Sequence, residues 1–172
     1  MRDVRHPWIR FIPSGVIVGL ARLGPIGRIK FAPGTWGSVA GVFFVVLAFW
    51  HRNPVTHLLF ATLLAYLAIQ ICGEAEDRLG KRDPGEIVLD EFVAIPFCFF
   101  GLDPFLMDAG FSWWVLLLGF ALFRVFDILK PFGIKKIQDL PGGIGCVADD
   151  IAAALAVMLI LNIGLRWAFV WG

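Results

Sequence analysis

Residues 53–73 read NPVTHLLFATLLAYLAIQICG, twenty-one positions without one Asp, Glu, Lys or Arg. A helix rises about 1.5 Å per residue, so such a run can cross the roughly 30 Å hydrocarbon core of a bilayer. Just before it, residues 31–50 (FAPGTWGSVAGVFFVVLAFW) form a second uncharged run of twenty. There Pro33-Gly34-Thr35 reads as a loop feeding the helix, with Thr35 or Ser38 able to cap it. Downstream, residues 109–123 (AGFSWWVLLLGFALF) continue amphipathically through Leu129, and residues 151–165 (IAAALAVMLILNIGL) extend toward Trp171. Residues 92–102 (FVAIPFCFFGL) hold Pro96 and reach a marginal span only by adding Asp103 to Met107. Residues 8–20 are apolar but broken by Pro13, and read as an interfacial or re-entrant helix. The expected fold class is therefore all-α: a multi-span helical membrane protein with four to five transmembrane helices, an N-terminal interfacial helix and one domain over residues 1–172. Composition agrees. Hydrophobic residues make up 59% of the chain, against about 45–50% in a soluble domain.

Charge falls in short blocks between these runs. Threading the spans in order puts thirteen of the fifteen Lys and Arg on the side of the N-terminus, leaving Arg52 and Arg166 opposite. Cytoplasmic loops carry the Lys/Arg excess, so that side is read as cytoplasmic. His51 and Arg52, and then Asp103 and Asp108, would turn on the far side. The net charge of +1 gives no reason to expect nucleic acid as a partner. Arg2, Arg5 and Arg10 precede a stretch broken by Pro13, Arg22 and Arg28, which does not read as a cleaved signal peptide. Cys72, Cys98 and Cys146 are scattered, with no C-x-x-C pair, so spacing supports neither a zinc site nor a disulfide framework. Cys72 reads as a small apolar residue near a helix end.

Three acidic blocks land on the cytoplasmic side: Asp90-Glu91, the run from Arg124 through Asp127 to Lys130, and Asp149-Asp150. Each pair of adjacent acids could simply favour the positive end of a helix. Arg124, Asp127 and Lys130, at i, i+3 spacing, could be an ion-paired helix end. Gathered at one interface, they instead suggest a divalent-metal and phosphate site. Carboxylates are hard oxygen ligands, and magnesium is usually held by one or two of them with water and substrate phosphate. The Gly-rich turns 33–38 and 141–145 could bring backbone N–H groups to an anion. His6, His51 and His57 lie outside the acidic blocks, which argues against a histidine nucleophile.

The pieces PGTWGS (33–38), IVLDEFVA (87–94) and FRVFDILKPFGIKKIQDLPGGIGCVADDIAAA (123–154), in this order and spacing, resemble the phosphatidylglycerophosphatase A family. The resemblance implies an all-helical, magnesium-dependent enzyme of the bacterial cytoplasmic membrane. It would hydrolyse the phosphate monoester of phosphatidylglycerol phosphate. Some members carry His before the paired glycines, where this chain has Pro141. On this reading Asp90, Glu91, Asp127, Asp149 and Asp150 are metal-ligand or general-base candidates for Mg2+. Arg124 and Lys130 would hold phosphate oxygens, and Thr35 and Ser38 would hydrogen-bond the headgroup. The expected partners are a phospholipid substrate and the bilayer, with no nucleic acid and the oligomeric state open. The alternatives are a small divalent-cation transporter or channel, and a noncatalytic membrane subunit.

Overall fold

The computed structural model describes residues 7–49, 53–106, 112–131 and 133–171. His6, His51, Arg52, Asp108 and the arginines at 2 and 5, named above, lie outside the described residues. Among the described residues all regular structure is helical: α1 (Ser14–Ala21), α2 (Pro33–Phe44), α3 (Pro54–Leu79), α4 (Leu89–Cys98), α5 (Asp103–Leu106), α6 (Ser112–Leu129) and α7 (Ile144–Trp171). Short 3-10 turns cover Pro7–Phe11, Ile26–Arg28 and Ile134–Asp139, and a π turn extends α2 over Val45–Phe49.

Local chemistry explains the main boundaries. Asn53 caps α3, its side chain accepting from the Thr56 N–H at 2.8 Å, and Pro54 supplies the first helical residue. Gly80, at φ 63, ends the same helix in the left-handed conformation that Gly adopts most readily. On α3 the small residues Ala61, Ala65, Ala68, Cys72 and Ala75 are buried at three- and four-residue spacing. Val55, Leu59 and Leu63 on the same helix are exposed.

α4 is the centre of the packing and touches α2, α3 and α7. Glycines on α2 permit this closeness. A Cβ at Gly37 would lie 2.8 Å from the Val88 carbonyl oxygen, and one at Gly41 would lie 2.9 Å from Ile95 Cβ. Small residues let helices approach until backbones nearly touch. The core around α4 includes Ala94, Ile95, Phe99, Phe123, Ala154 and Val157.

Two described helices, Pro54–Leu79 and Ile144–Ala168, are long and apolar enough to cross a bilayer. α4 has ten residues and is about 15 Å long, half a hydrocarbon core, so the marginal span expected at 92–107 is, through Leu106, a short helix, a turn and α5. Three expected boundaries also shift. α2 begins at Pro33, so Pro33-Gly34-Thr35 is helix and not loop; its cap position is Ala32, at φ 48, with no side-chain cap from Thr35 or Ser38. α3 continues six residues past the apolar run, which puts Cys72 inside a helix. α7 starts at Ile144, so Asp149 and Asp150 lie in its second turn and do not precede it. α3 and α7 thus extend beyond their purely apolar segments, whereas α2 starts inside its own.

Candidate active site

The first turns of α2, α4 and α7 and the last turns of α6 meet, and all three acidic blocks meet with them. Asp90 and Glu91 occupy the first turn of α4, and Asp150 the second turn of α7. Carboxylate oxygens of Asp90, Glu91 and Asp150 lie within 4.8 Å of one another. Asp127, from the end of α6, hydrogen-bonds Asp150. Asp90, Asp127, Asp149 and Asp150 are all buried.

Two cations hold the edges. Arg124 Nη1 pairs with Asp127 Oδ2 at 2.7 Å and lies 3.9 Å from Glu91 Oε1. The same nitrogen donates to Ser38 Oγ at 3.2 Å, and Ser38 in turn donates to the Gly34 carbonyl at 2.9 Å. Ser38 is thus a buried residue inside α2 that positions the guanidinium. Thr35 shares the first turn of α2, half-buried, and among the described residues no side-chain hydrogen bond ties it to the cluster. Lys130 does not pair with Asp127, its i−3 neighbour. It follows the end of α6 at φ 43, and this left-handed residue carries its ammonium to Asp149 Oδ2.

Glycine at position 34 leaves room for the Glu91 side chain. A Cβ there would run into the Glu91 carboxylate and come within 3.6 Å of Arg124 Nη1. The Gly142-Gly143 turn serves packing. A Cβ on Gly143 would strike the α3 backbone at Ile69 and Gly73, so this turn seats the start of α7 against α3. His57 lies apart, buried, with Nε2 2.9 Å from the Pro96 carbonyl oxygen and its ring edge-on to Phe100.

Burial, foremost, pushes the Asp90 and Glu91 carboxyls well above the usual carboxylate range. The charge of Asp150 adds to the effect at Asp90, and those of Asp90 and Asp127 at Glu91; Arg124 opposes it at Glu91. Burial alone would lower the Lys130 ammonium, but the hydrogen bond and charge of Asp149 outweigh it and raise the group. Five carboxylates surround one guanidinium and one ammonium, an excess of three formal negative charges. Buried like charges either keep protons or share a cation. The residues fit Mg2+: the donors of the Asp90–Glu91–Asp150 group are all oxygen, and Glu91 Oε2 is buried without a hydrogen-bond partner.

Sequence reasoning missed two residues here. Cys146, in the first turn of α7, donates to Asp90 Oδ2 at 2.8 Å, and Asp83 Oδ1 lies 3.8 Å from the same sulfur. The available signal was that Cys146 stands three residues before Asp149, on the same helix face.

Buried carboxylates, a guanidinium with an unpartnered Nε and an ammonium gather at the ends of apolar helices. This combination suits an all-helical enzyme that handles a phosphate group at an apolar surface. The chain belongs to the phosphatidylglycerophosphatase A family, whose model matches residues 19–165, and it is a lipid phosphatase. It is 38% identical over 136 residues to a phosphatidylglycerophosphatase A of Haemophilus influenzae, covering 78% of this chain and 80% of that one. A Bacteroides thetaiotaomicron protein named "Putative phosphatidylinositol-3-phosphatase" is 32% identical over 147 residues, covering 82% and 87%. An Escherichia coli phosphatidylglycerophosphatase A is 29% identical over 146 residues, covering 82% and 79%. No solved structure matches the chain.

Proposed function

We propose that this enzyme hydrolyses the phosphate monoester of phosphatidylglycerol phosphate, giving phosphatidylglycerol and inorganic phosphate, with Mg2+ as cofactor. It works as a multi-pass protein of the bacterial inner membrane, with four to five spans and its site on the cytoplasmic face. The observation that carries the reading is the convergence of Asp90, Glu91, Asp127, Asp149 and Asp150 with Arg124 and Lys130 at one end of the helices. A lipid monoester presents its dianion at the membrane surface while its acyl chains stay in the bilayer. The exposed Leu47, Leu59, Trp113, Ile163 and Trp167 give the helices apolar flanks suited to that bilayer.

Asp90, Glu91 and Asp150 would hold the ion, with Asp127 and Asp149 beside them. When bound, Mg2+ supplies Lewis acidity that neutralises charge on the phosphoryl oxygens. Arg124 keeps Nη1 on Asp127 and Ser38 and turns its Nε edge to the phosphate, the two-donor geometry that suits paired oxygens. Lys130 supplies a second positive charge, and Thr35, in the first turn of α2, would hydrogen-bond the headgroup. In the reaction the water oxygen bonds to phosphorus, the phosphorus–glycerol oxygen bond breaks, and the leaving oxygen takes a proton. A carboxylate of the cluster accepts the proton that water gives up. Positioning and charge stabilisation carry most of the rate enhancement.

A divalent-cation transporter is less well supported. Its polar groups would have to run through the depth of the bilayer, whereas Asn162 on α7 is committed to the carbonyls of Phe100 and Met158. The test is phosphate release by the purified protein in detergent micelles, with phosphatidylglycerol phosphate and phosphatidylinositol 3-phosphate as separate substrates, in Mg2+ and in EDTA. Release from the glycerol lipid in Mg2+ and none in EDTA is expected. Faster release from the inositol lipid would overturn the substrate, and undiminished turnover in EDTA would overturn the metal.

A further inference from the structure

The proton that the attacking water gives up needs an acceptor, and the five carboxylates of the site suit that task poorly. Asp90, Glu91 and Asp150 would hold the ion, Asp127 pairs with Arg124, and Asp149 pairs with Lys130. A proton placed on any of them removes a ligand or breaks an ion pair. Asp90, Asp127, Asp149 and Asp150 are also buried, away from the solvent that must finally receive the proton.

A sixth carboxylate stands at the rim. Asp83, in the connection between α3 and α4, is exposed, yet one of its oxygens lies within 4.8 Å of a carboxylate oxygen of buried Asp90. It is held firmly for an exposed residue. Its backbone N–H donates to Glu76 Oε1 at 2.6 Å, and its Oδ2 accepts from Gln138 Nε2. The Gln138 carbonyl is fixed in turn by Arg82 Nη2 at 2.9 Å. Asp83 also adopts φ 44, a left-handed conformation that is sparsely populated outside Gly and persists where the surroundings enforce it. With Oδ2 taken by Gln138, Oδ1 lies on the side of Cys146. That sulfur is 3.8 Å from Asp83 Oδ1 but 2.8 Å from Asp90 Oδ2. A thiol has one proton, and the shorter contact takes it. Asp83 Oδ1 therefore keeps its lone pairs for another donor.

We propose that Asp83 is a catalytic residue, the general base that takes the proton of the attacking water. The assignment rests on the hydrolase reading above and names the carboxylate which that reading leaves open. The water oxygen bonds to phosphorus as its proton passes to Asp83 Oδ1. The phosphorus–glycerol oxygen bond breaks with its electron pair on the glycerol oxygen, which takes a proton from solvent. Asp83, being exposed, then returns its own proton to solvent. One water is consumed, and the enzyme ends in the charge state in which it began.

The test uses the full chain in detergent micelles, with phosphatidylglycerol phosphate at saturating Mg2+. Gly adopts φ 44 readily and Asn tolerates it, so Asp83→Gly and Asp83→Asn should both fold, checked by thermal midpoint. Asn also keeps an acceptor oxygen for Gln138 but cannot take a proton. Loss of a general base should lower kcat by about 100- to 10,000-fold in both variants. KM should stay at the wild-type value, and so should the Kd for Mn2+, read from the spin resonance of the free ion, because the base touches only the water. Formate, a small carboxylate, should restore kcat to Asp83→Gly in proportion to its concentration and leave the wild type unchanged. Wild-type kcat in either folded variant overturns the assignment. A raised Kd for Mn2+ overturns it by making Asp83 a ligand. A loss of kcat that formate does not restore overturns it by making Asp83 a latch for Gln138. Absence of phosphate release by the wild type is a different failure, that of the hydrolase reading, and takes the assignment with it.

Discussion

Arg124→Lys tests the proposed phosphate clamp because it keeps the charge and removes the geometry. Among the described residues Nη1 makes the guanidinium's hydrogen bonds and ion pairs: it reaches Asp127 at 2.7 Å, Ser38 at 3.2 Å and Glu91 at 3.9 Å. Nε is buried with no partner. A lysine ammonium can replace Nη1 on Asp127 but cannot present a second, parallel donor edge. If that edge holds phosphate, the variant loses at least one hydrogen bond to a charged group, worth about 1.5–3 kcal/mol. One decade of rate corresponds to about 1.4 kcal/mol, so kcat/KM should fall roughly 10- to 150-fold. The assay is phosphate release from phosphatidylglycerol phosphate in micelles at saturating Mg2+, with folding checked by monodisperse elution. If the guanidinium only ties α6 to α2 and α4, lysine serves nearly as well. Wild-type kcat/KM in folded Arg124→Lys would refute the clamp and leave Arg124 a structural residue.

Asp127→Asn keeps the side chain's shape but removes a charge that faces both Arg124 and Asp150; kcat/KM should fall by about 100-fold or more, as for loss of a group acting in the transition state. Full turnover by that folded variant would take Asp127 out of the site. Gly143→Ala would set a Cβ 2.6 Å from the Gly73 backbone nitrogen and against the Ile69 carbonyl, neither of which can move aside as a flexible side chain would. Overpacking of this kind costs about 1–3 kcal/mol, so the thermal midpoint in detergent should drop measurably. An unchanged midpoint would mean that α3 and α7 are not seated through this glycine.

The acidic site was legible in the sequence because each of its parts sits at a break in hydrophobicity. Asp90-Glu91, Asp127 and Asp149-Asp150 border apolar runs, and charges enter such runs only where a partner offsets the cost. Threading the runs up and down put them on one side, but that threading counted 92–107 as a crossing, where the structure has a short helix, a turn and α5; it is the packing of α4 on α2 and α7 that brings the blocks together. Three features were hidden. Hydropathy reports where a segment stops being apolar, not where its helix ends; α3 therefore continues through Glu74 and Arg78, which pair at 2.9 Å, after the apolar signal stops. The glycines of PGTWGS looked like an anion loop, because in sequence a turn glycine and a packing glycine are the same letter. Gly34 and Gly37 are helical, and their role lies in Glu91 and Val88, more than fifty residues away. Cys146 was read with Cys72 and Cys98 by linear spacing, which carries no information about thiols that meet only through packing of α3 on α7.

The charge of the site bears on the order of binding in the proposed reaction. Three helix N-termini, from α2, α4 and α7, bring partial positive charge to the cluster, and Arg124 and Lys130 bring two full charges. Against them stand five carboxylates, so a fully ionised cluster would repel the dianion it has to bind. Proton uptake by Asp90 or Glu91 relieves that repulsion but also removes ligands for Mg2+. A divalent ion relieves it while keeping the carboxylates charged and in place. Phosphate affinity must then rise with Mg2+ occupancy, and by linkage Mg2+ affinity must rise by the same factor when the phosphate is bound. The guanidinium fits the same scheme. Held through Nη1 by Asp127 and Ser38, it is fixed before substrate arrives, and its free edge binds only a group that the neighbouring carboxylates no longer exclude.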